Sequence, residues 1–224
     1  NVRNFCNNEL KPNVVKKNRK NEFDIKLYPK FGSLGVLGQT VKKYGGSGTS
    51  NLAYGLVAYE FEKIDSSYRS SISVQSSLVI HPISEFGSEE QKDKYLPELI
   101  KGEKIGCFGL TESEAGSDPA SMKTTFKKTK DGYILNGSKN WITNAPIADI
   151  FIIWAIEEGK DHKNIRGFIL EKKNEGLNIS TIENKTSLKI SPTGQIILNN
   201  VFVPNNLCLE NTEGWKSVFS CLNK

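Results

Sequence analysis

The chain has 224 residues, 37% of them hydrophobic, and 30 Lys and Arg stand against 25 Asp and Glu for a formal charge of +5. That length and apolar content suit a folded chain with one large core or two smaller ones and exclude a disordered tail. The basic residues are scattered among asparagines, as in Lys16-Lys17-Asn18-Arg19-Lys20, which reads as a solvated face and not as a nucleic-acid site, and no apolar run approaches the roughly 20 residues that span a bilayer.

In chain order, the first signals are helical. Leu52, Leu56 and Tyr59 fall near one face of a helix, and 88–101 carries Tyr95, Leu96, Leu99 and Ile100 at helical spacing, so packed helices are expected before Gly106. Ser88 with Gln91 three residues later predicts a helix start, and Lys101-Gly102 a stop. Gly45 through Ser50 reads as a turn-rich connection, since no Gly-Lys-Ser or Gly-Lys-Thr follows to make a phosphate loop. His81 is expected to pack or cap near Pro82.

After Gly106 short β-rich runs take over: 133–135, 150–156, 167–170, 195–198 and 201–203, separated by polar or glycine-containing turns. They favour an antiparallel barrel or sandwich. Lys160 through Asn164 and Asn199-Asn200 read as surface loops, and Asn136-Gly137 as a hairpin turn. The cysteines, Cys6, Cys107, Cys208 and Cys221, have no Cys-x-x-Cys spacing, which predicts reduced thiols and neither a disulfide scaffold nor a zinc site. With only His81 and His162, no histidine metal cluster is expected.

Two segments carry chemistry: Cys107-Phe108-Gly109-Leu110-Thr111-Glu112-Ser113-Glu114-Ala115-Gly116-Ser117-Asp118-Pro119, and Trp141-Ile142-Thr143. Taken alone, Ser117-Asp118 suits a side-chain-stabilised turn and Trp-Ile-Thr a strand. Together, and with Val203-Pro204 further on, they resemble the acyl-CoA dehydrogenase family across nearly the whole chain. Tyr68 through Ile83 and Ile165 through Lys172 narrow the likeness to its glutaryl-CoA dehydrogenase branch.

The resemblance implies a helical N-terminal domain over 1–105, an antiparallel β-barrel-like middle domain over 106–210, and over 211–224 the start of a C-terminal helical domain. It implies FAD as cofactor, contacted by Phe108, Gly109, Leu110, Thr111, Glu112, Ser117, Trp141, Ile142 and Thr143. Backbone groups and the Thr111 hydroxyl would meet the polar edge of the isoalloxazine, Trp141 its face, and the Thr143 hydroxyl its reactive nitrogen. Ser117 would reach flavin and substrate alike. Arg69 and Ser70 would lie beneath the acyl pocket, Arg69 pairing with the far carboxylate of glutaryl-CoA; a salt bridge to Glu62 or Asp65 is the plain structural alternative, and Glu62 orienting Arg69 would combine the two.

The intact enzyme would oxidise and decarboxylate glutaryl-CoA to crotonyl-CoA in the mitochondrial matrix, as a homotetramer reoxidised by an electron-transfer flavoprotein. The family's catalytic glutamate belongs to the C-terminal helical domain, so no catalytic residue is assigned here and the isolated chain is expected to be inactive. The alternatives are a short- or branched-chain acyl-CoA dehydrogenase and a noncatalytic flavin- or acyl-CoA-binding module. Two departures stand out: Ser113 replaces the proline common after Thr-Glu, and Lys189 stands where glutaryl relatives tend to have arginine.

Overall fold

The computed structural model describes residues 1–160, 164–212 and 214–223, and places seven of its α-helices before Gly106 and all seven of its strands from Gly106 onward. Residues 161–163 of the expected loop, His162 among them, lie outside the described residues, as do positions 213 and 224 of the expected third segment. The helices are α1 (Val2–Phe5), α2 (Val14–Lys20), α3 (Leu27–Ser33), α4 (Asn51–Glu62), α5 (Ser66–Ser73), α6 (His81–Phe86) and α7 (Glu89–Lys101), with α8 (Trp215–Leu222) at the end. A wider, π-type stretch over Val74–Ile80 carries α5 into α6 without a break.

Helix α7 begins and ends where the sequence predicts. Ser88 Oγ accepts from Gln91 N at 3.2 Å and Gln91 Oε1 accepts from Ser88 N at 3.0 Å, a reciprocal cap, and Gly102 closes the helix at φ 71°. A Cβ at Gly102 would sit 2.1 Å from the Tyr28 carbonyl oxygen, so the same glycine lets α3 approach. Helix α4 forms as expected, but Leu52, Leu56 and Tyr59 face solvent. Its inward anchor is Phe61, which is fully buried against Phe5 and Phe31 with ring centroids 6.4 and 5.4 Å away.

The strands are β1 (Gly106–Gly109), β2 (Thr125–Lys128), β3 (Gly132–Thr143), β4 (Ile150–Glu157), β5 (Ile165–Glu171), β6 (Leu177–Thr181) and β7 (Thr193–Pro204). They make one curled mixed sheet, a half-barrel set against the helices. The expected antiparallel pairing holds for β2 with β3, β3 with β7, β7 with β6 and β4 with β5. Strand β4 adds two parallel pairings along its other edge, first to β1 and then to β2. Parallel neighbours need a long crossover, and here the β2–β3 hairpin supplies it. Being covered on both faces, β4 reads as an unbroken apolar run: Ile150, Ile152, Trp154 and Ile156 join the core shared with the helices, while Phe151, Ile153 and Ala155 join the core inside the half-barrel.

Two expectations within the sheet fail for one reason. Asn136-Gly137 is no hairpin turn and Asn199-Asn200 is no loop between strands; both lie inside long strands, where Leu135 pairs with Val201 and Gly137 with Leu198. The extra residue on β7 is a bulge that keeps both Leu198 and Val201 inward. Asn200 takes φ 50° there, and Asn136 secures it by accepting from Asn200 N at 2.8 Å and donating to Asn200 Oδ1 at 3.1 Å.

Buried amides join the helices to the sheet. Gln75 Nε2 donates to Leu99 O and Lys104 O at 3.0 and 2.9 Å, and its Oε1 accepts from Gly106 N at 2.8 Å. Gln91 Nε2 donates to Asn206 O and Cys208 O at 2.7 and 2.9 Å. All four cysteines are buried free thiols, and no metal-binding cluster and no membrane-spanning helix occurs among the described residues. His81 is buried with its ring centroid 6.4 Å from Phe86.

Candidate functional site

Strand β3 carries a second bulge near its end. Lys139 pairs with Ile196 and Ile142 with Gly194, so Asn140 and Trp141 together oppose Gln195. That extra residue resets the in-and-out alternation: Lys139 and Ile142 are buried, whereas Trp141 is 58% exposed. Trp141 takes φ 60°, a left-handed conformation that costs a bulky residue about 1–3 kcal/mol. Asn140 holds it there, accepting from Trp141 N at 3.0 Å. Asn140 also reaches the neighbouring loop, with its backbone N donating to Thr111 O at 2.9 Å and its Nδ2 to Ser113 Oγ at 3.2 Å.

That loop leaves β1 at Gly109 and returns to β2 at Thr125. Glu112 and Ala115 exchange two backbone hydrogen bonds across its tip. Asp118 is a turn former, its Oδ1 accepting from Ala120 N at 3.2 Å. The Glu112 carboxylate points inward, where Oε2 accepts from Lys123 N at 2.6 Å and Oε1 from Thr124 N at 3.0 Å and from Lys139 Nζ at 2.8 Å. Lys139 is fully buried and also donates to Leu110 O at 3.0 Å. Burial pushes the Glu112 carboxyl up, but Lys139 and the loop amides outweigh it and leave it below the usual range. Burial brings the Lys139 ammonium down to about 8 against the opposing pull of Glu112.

The outer surface of this wall is differently equipped. Ser117 is exposed, Thr111 and Thr143 are partly exposed, and their hydroxyls have no hydrogen-bond partner among the described residues. An exposed indole flanked by unpartnered hydroxyls suits a ligand with a flat aromatic body and a polar edge.

On the helical side, Arg69 Nε donates to Glu62 Oε2 at 2.8 Å, the salt bridge named above as the alternative. Its carboxylate is held below the usual range, first by Arg69 and then by Ser66. The pair is open to solvent, with side chains 38% and 45% exposed, and no further hydrogen bond to the guanidinium occurs among the described residues. Asn144, immediately after Thr143, donates from Nδ2 to Gly106 O at 3.2 Å and to Ser71 O at 3.5 Å. The end of β3 is thereby tied to the turn of α5 that carries Arg69 and Ser70.

Residues 1–103 match the acyl-CoA dehydrogenase N-terminal domain and residues 107–201 its middle domain. The chain belongs to the acyl-CoA dehydrogenase family. It is similar to the short-chain-specific acyl-CoA dehydrogenase of Clostridium acetobutylicum, 38% identical over 205 residues that make up 91% of this chain and 54% of that protein. Among solved structures it is similar to a glutaryl-CoA dehydrogenase from Mycobacterium smegmatis in complex with FADH2, at TM-score 0.96 and 42% identity over 99% of this chain and 56% of that one. Butyryl-CoA dehydrogenase from Megasphaera elsdenii follows at TM-score 0.92 and 35% identity, covering 99% and 60%. The chain thus spans somewhat more than half the length of these acyl-CoA dehydrogenases.

Within this acyl-CoA dehydrogenase wall the predicted contact residues divide by side. Thr111, Ser117, Trp141 and Thr143 present side chains outward. Phe108, Leu110 and Ile142 are buried, Phe108 with its ring centroid 6.2 Å from Trp154, so only their main chains are placed to meet a ligand. A Cβ at Gly109 would lie 2.6 Å from Ile153 Cδ1, so a side chain there would have to displace the tip of a buried isoleucine. The Glu112 carboxylate is committed to Lys139 and the loop amides, so only its main chain is placed to meet a ligand. Sequence reasoning missed Lys139, Asn140 and Asn144. A signal for Lys139 exists, since Leu135 and Lys139 are an even number of residues apart on one strand and so share a face.

Proposed function

We propose that this chain forms the flavin- and acyl-binding part of an FAD-dependent acyl-CoA dehydrogenase of the glutaryl type. The FAD, when bound, supplies the hydride acceptor. The chain's own residues orient it: Trp141 offers an aromatic face, and Thr111, Ser117 and Thr143 offer free hydroxyls to its polar edge. Glu112 is not the base, because its carboxylate is buried and paired.

The observation that carries the substrate assignment is Arg69. Glu62 occupies Nε and fixes the guanidinium's orientation, and the two Nη groups keep the fork geometry that receives a carboxylate with two parallel hydrogen bonds. A glutaryl thioester carries such a carboxylate at the far end of its acyl chain. With FAD as hydride acceptor, removal of an α-proton and a β-hydride would give the α,β-unsaturated thioester, and loss of the carboxylate from that product as carbon dioxide, with return of a proton, would give crotonyl-CoA. A short-chain substrate is the second reading, favoured by the similarity to the short-chain and butyryl enzymes. An electron-transfer flavoprotein as oxidant and a homotetrameric assembly belong to the same proposal.

The test is to assay the full-length protein with glutaryl-CoA and butyryl-CoA under an artificial electron acceptor while tracking carbon dioxide. Arg69→Ala is expected to lower glutaryl-CoA turnover at least tenfold more than butyryl-CoA turnover, the loss of about 1.4 kcal/mol or more from a charge-assisted pair. Equal losses on both substrates would move the assignment to the short-chain reading.

A further inference from the structure

The buried pair Lys139–Glu112 does more than close a gap in the core. Thr111 lies between the two groups that Lys139 holds, Leu110 O at 3.0 Å and Glu112 Oε1 at 2.8 Å. The same carboxylate gathers the amides of Lys123 and Thr124, so it closes the base of the loop that displays Ser117. Lys139 itself is anchored on β3 two residues before Trp141, and Met122 Sδ completes its surroundings at 3.8 Å. One ammonium therefore sets the spacing between the two segments whose outward side chains form the wall.

Stability alone explains such a pair poorly. Replacing a buried ion pair with apolar groups of similar volume is often neutral or stabilising, because neither charge then has to be desolvated. What apolar groups cannot reproduce is the directed set of hydrogen bonds that the ammonium donates to Leu110 O and that the carboxylate accepts from the amides of Lys123 and Thr124. We propose that Lys139 and Glu112 are positioning residues for the cofactor, a buried latch that holds the Thr111–Ser117 loop at a fixed distance from Trp141. This rests on the FAD reading above.

The experiment uses the full-length protein with FAD removed and added back, following the dissociation constant by flavin fluorescence, the visible spectrum of the bound flavin, and the melting temperature of the apoprotein. Lys139→Met strands the Glu112 charge, so the double variant Lys139→Met with Glu112→Gln is the decisive one, since it leaves no buried unpaired charge. It is expected to melt near wild type, yet to bind FAD about tenfold or more weakly, about 1.4 kcal/mol in binding, with an altered flavin spectrum. Gln91→Ala serves as a control for general destabilisation: it acts at the seam between α7 and the sheet and is expected to lower the melting temperature without changing the flavin spectrum. A double variant with wild-type FAD affinity and spectrum would overturn the latch while leaving the cofactor reading intact. A wild-type protein that binds no FAD would overturn the cofactor reading and the latch with it.

Discussion

Trp141 holds a conformation that suits its exposure and not its own backbone. At φ 60° a tryptophan is strained where glycine is not, and the exposed indole packs against no other ring among the described residues. Trp141→Gly should therefore unfold in urea at a midpoint above that of Trp141→Ala, by about 1 kcal/mol in stability, while both lose flavin binding. Equal midpoints would mean that the bulge sets this conformation without strain. The sequence made the wall's residue types legible but not their directions. The direction of the Glu112 carboxylate is not legible, because the partner that turns it inward, Lys139, sits among turn-forming residues in Asn136-Gly137-Ser138-Lys139. The even spacing of Lys139 from Leu135 becomes a signal only once Asn136-Gly137 is known to lie inside a strand, which the pairing of β3 with β7 shows.

Among the elements, those specified by local chemistry were the most readable. Helix α7 has its cap, its apolar spacing and its terminal glycine in the sequence, and each appears in place. Gln91 does more than the motif announces: besides its part in the cap, its amide nitrogen donates to Asn206 O and Cys208 O across the seam to the sheet. Ser88→Ala is expected to cost about 1 kcal/mol, the ordinary worth of a helix cap. Gln91→Ala should cost more, about 2–3 kcal/mol, because it also leaves carbonyls at the seam without donors. Thermal or urea melts of the two variants check the order, and equal losses would confine Gln91 to capping. Bulges and tertiary direction were less readable. Asn136-Gly137 and Asn199-Asn200 carry turn residues because a bulge, like a turn, needs positive φ, and composition does not separate the two. Helix α4 shows the same limit: Leu52, Leu56 and Tyr59 have helical spacing, but spacing does not say what the stripe faces.

At the scale of the whole molecule, the question is what makes helices and half-barrel one body. Beneath the surface the apolar core runs continuously from Tyr28 and Phe31 through Tyr95 to Ile152 and Trp154. At its edge sits a charged seam. Glu171, at the end of β5, accepts from Lys94 Nζ and Tyr95 Oη of α7, both at 2.9 Å, with Lys173 Nζ at 3.0 Å. The hydrogen bond from Lys94, helped by Lys173 and Tyr95 and opposed by burial, holds this carboxyl at about 2. Because the folded-state value is depressed from the ordinary 4.5, the unfolded chain binds a proton first as the solution is acidified. The stabilisation is therefore complete above about pH 4.5 and drains away between 4.5 and 2. Glu171 is only 20% exposed, but Lys94 and Lys173 are open to water, so screening reduces its worth to about 1–2 kcal/mol. Urea unfolding of wild type and Glu171→Gln across that range should show a gap of this size at pH 7 that narrows below 4.5 and closes near 2. A gap that stays constant with pH would mean that the glutamine disturbs packing at the seam, and that the charge of Glu171 does not help hold the two halves together.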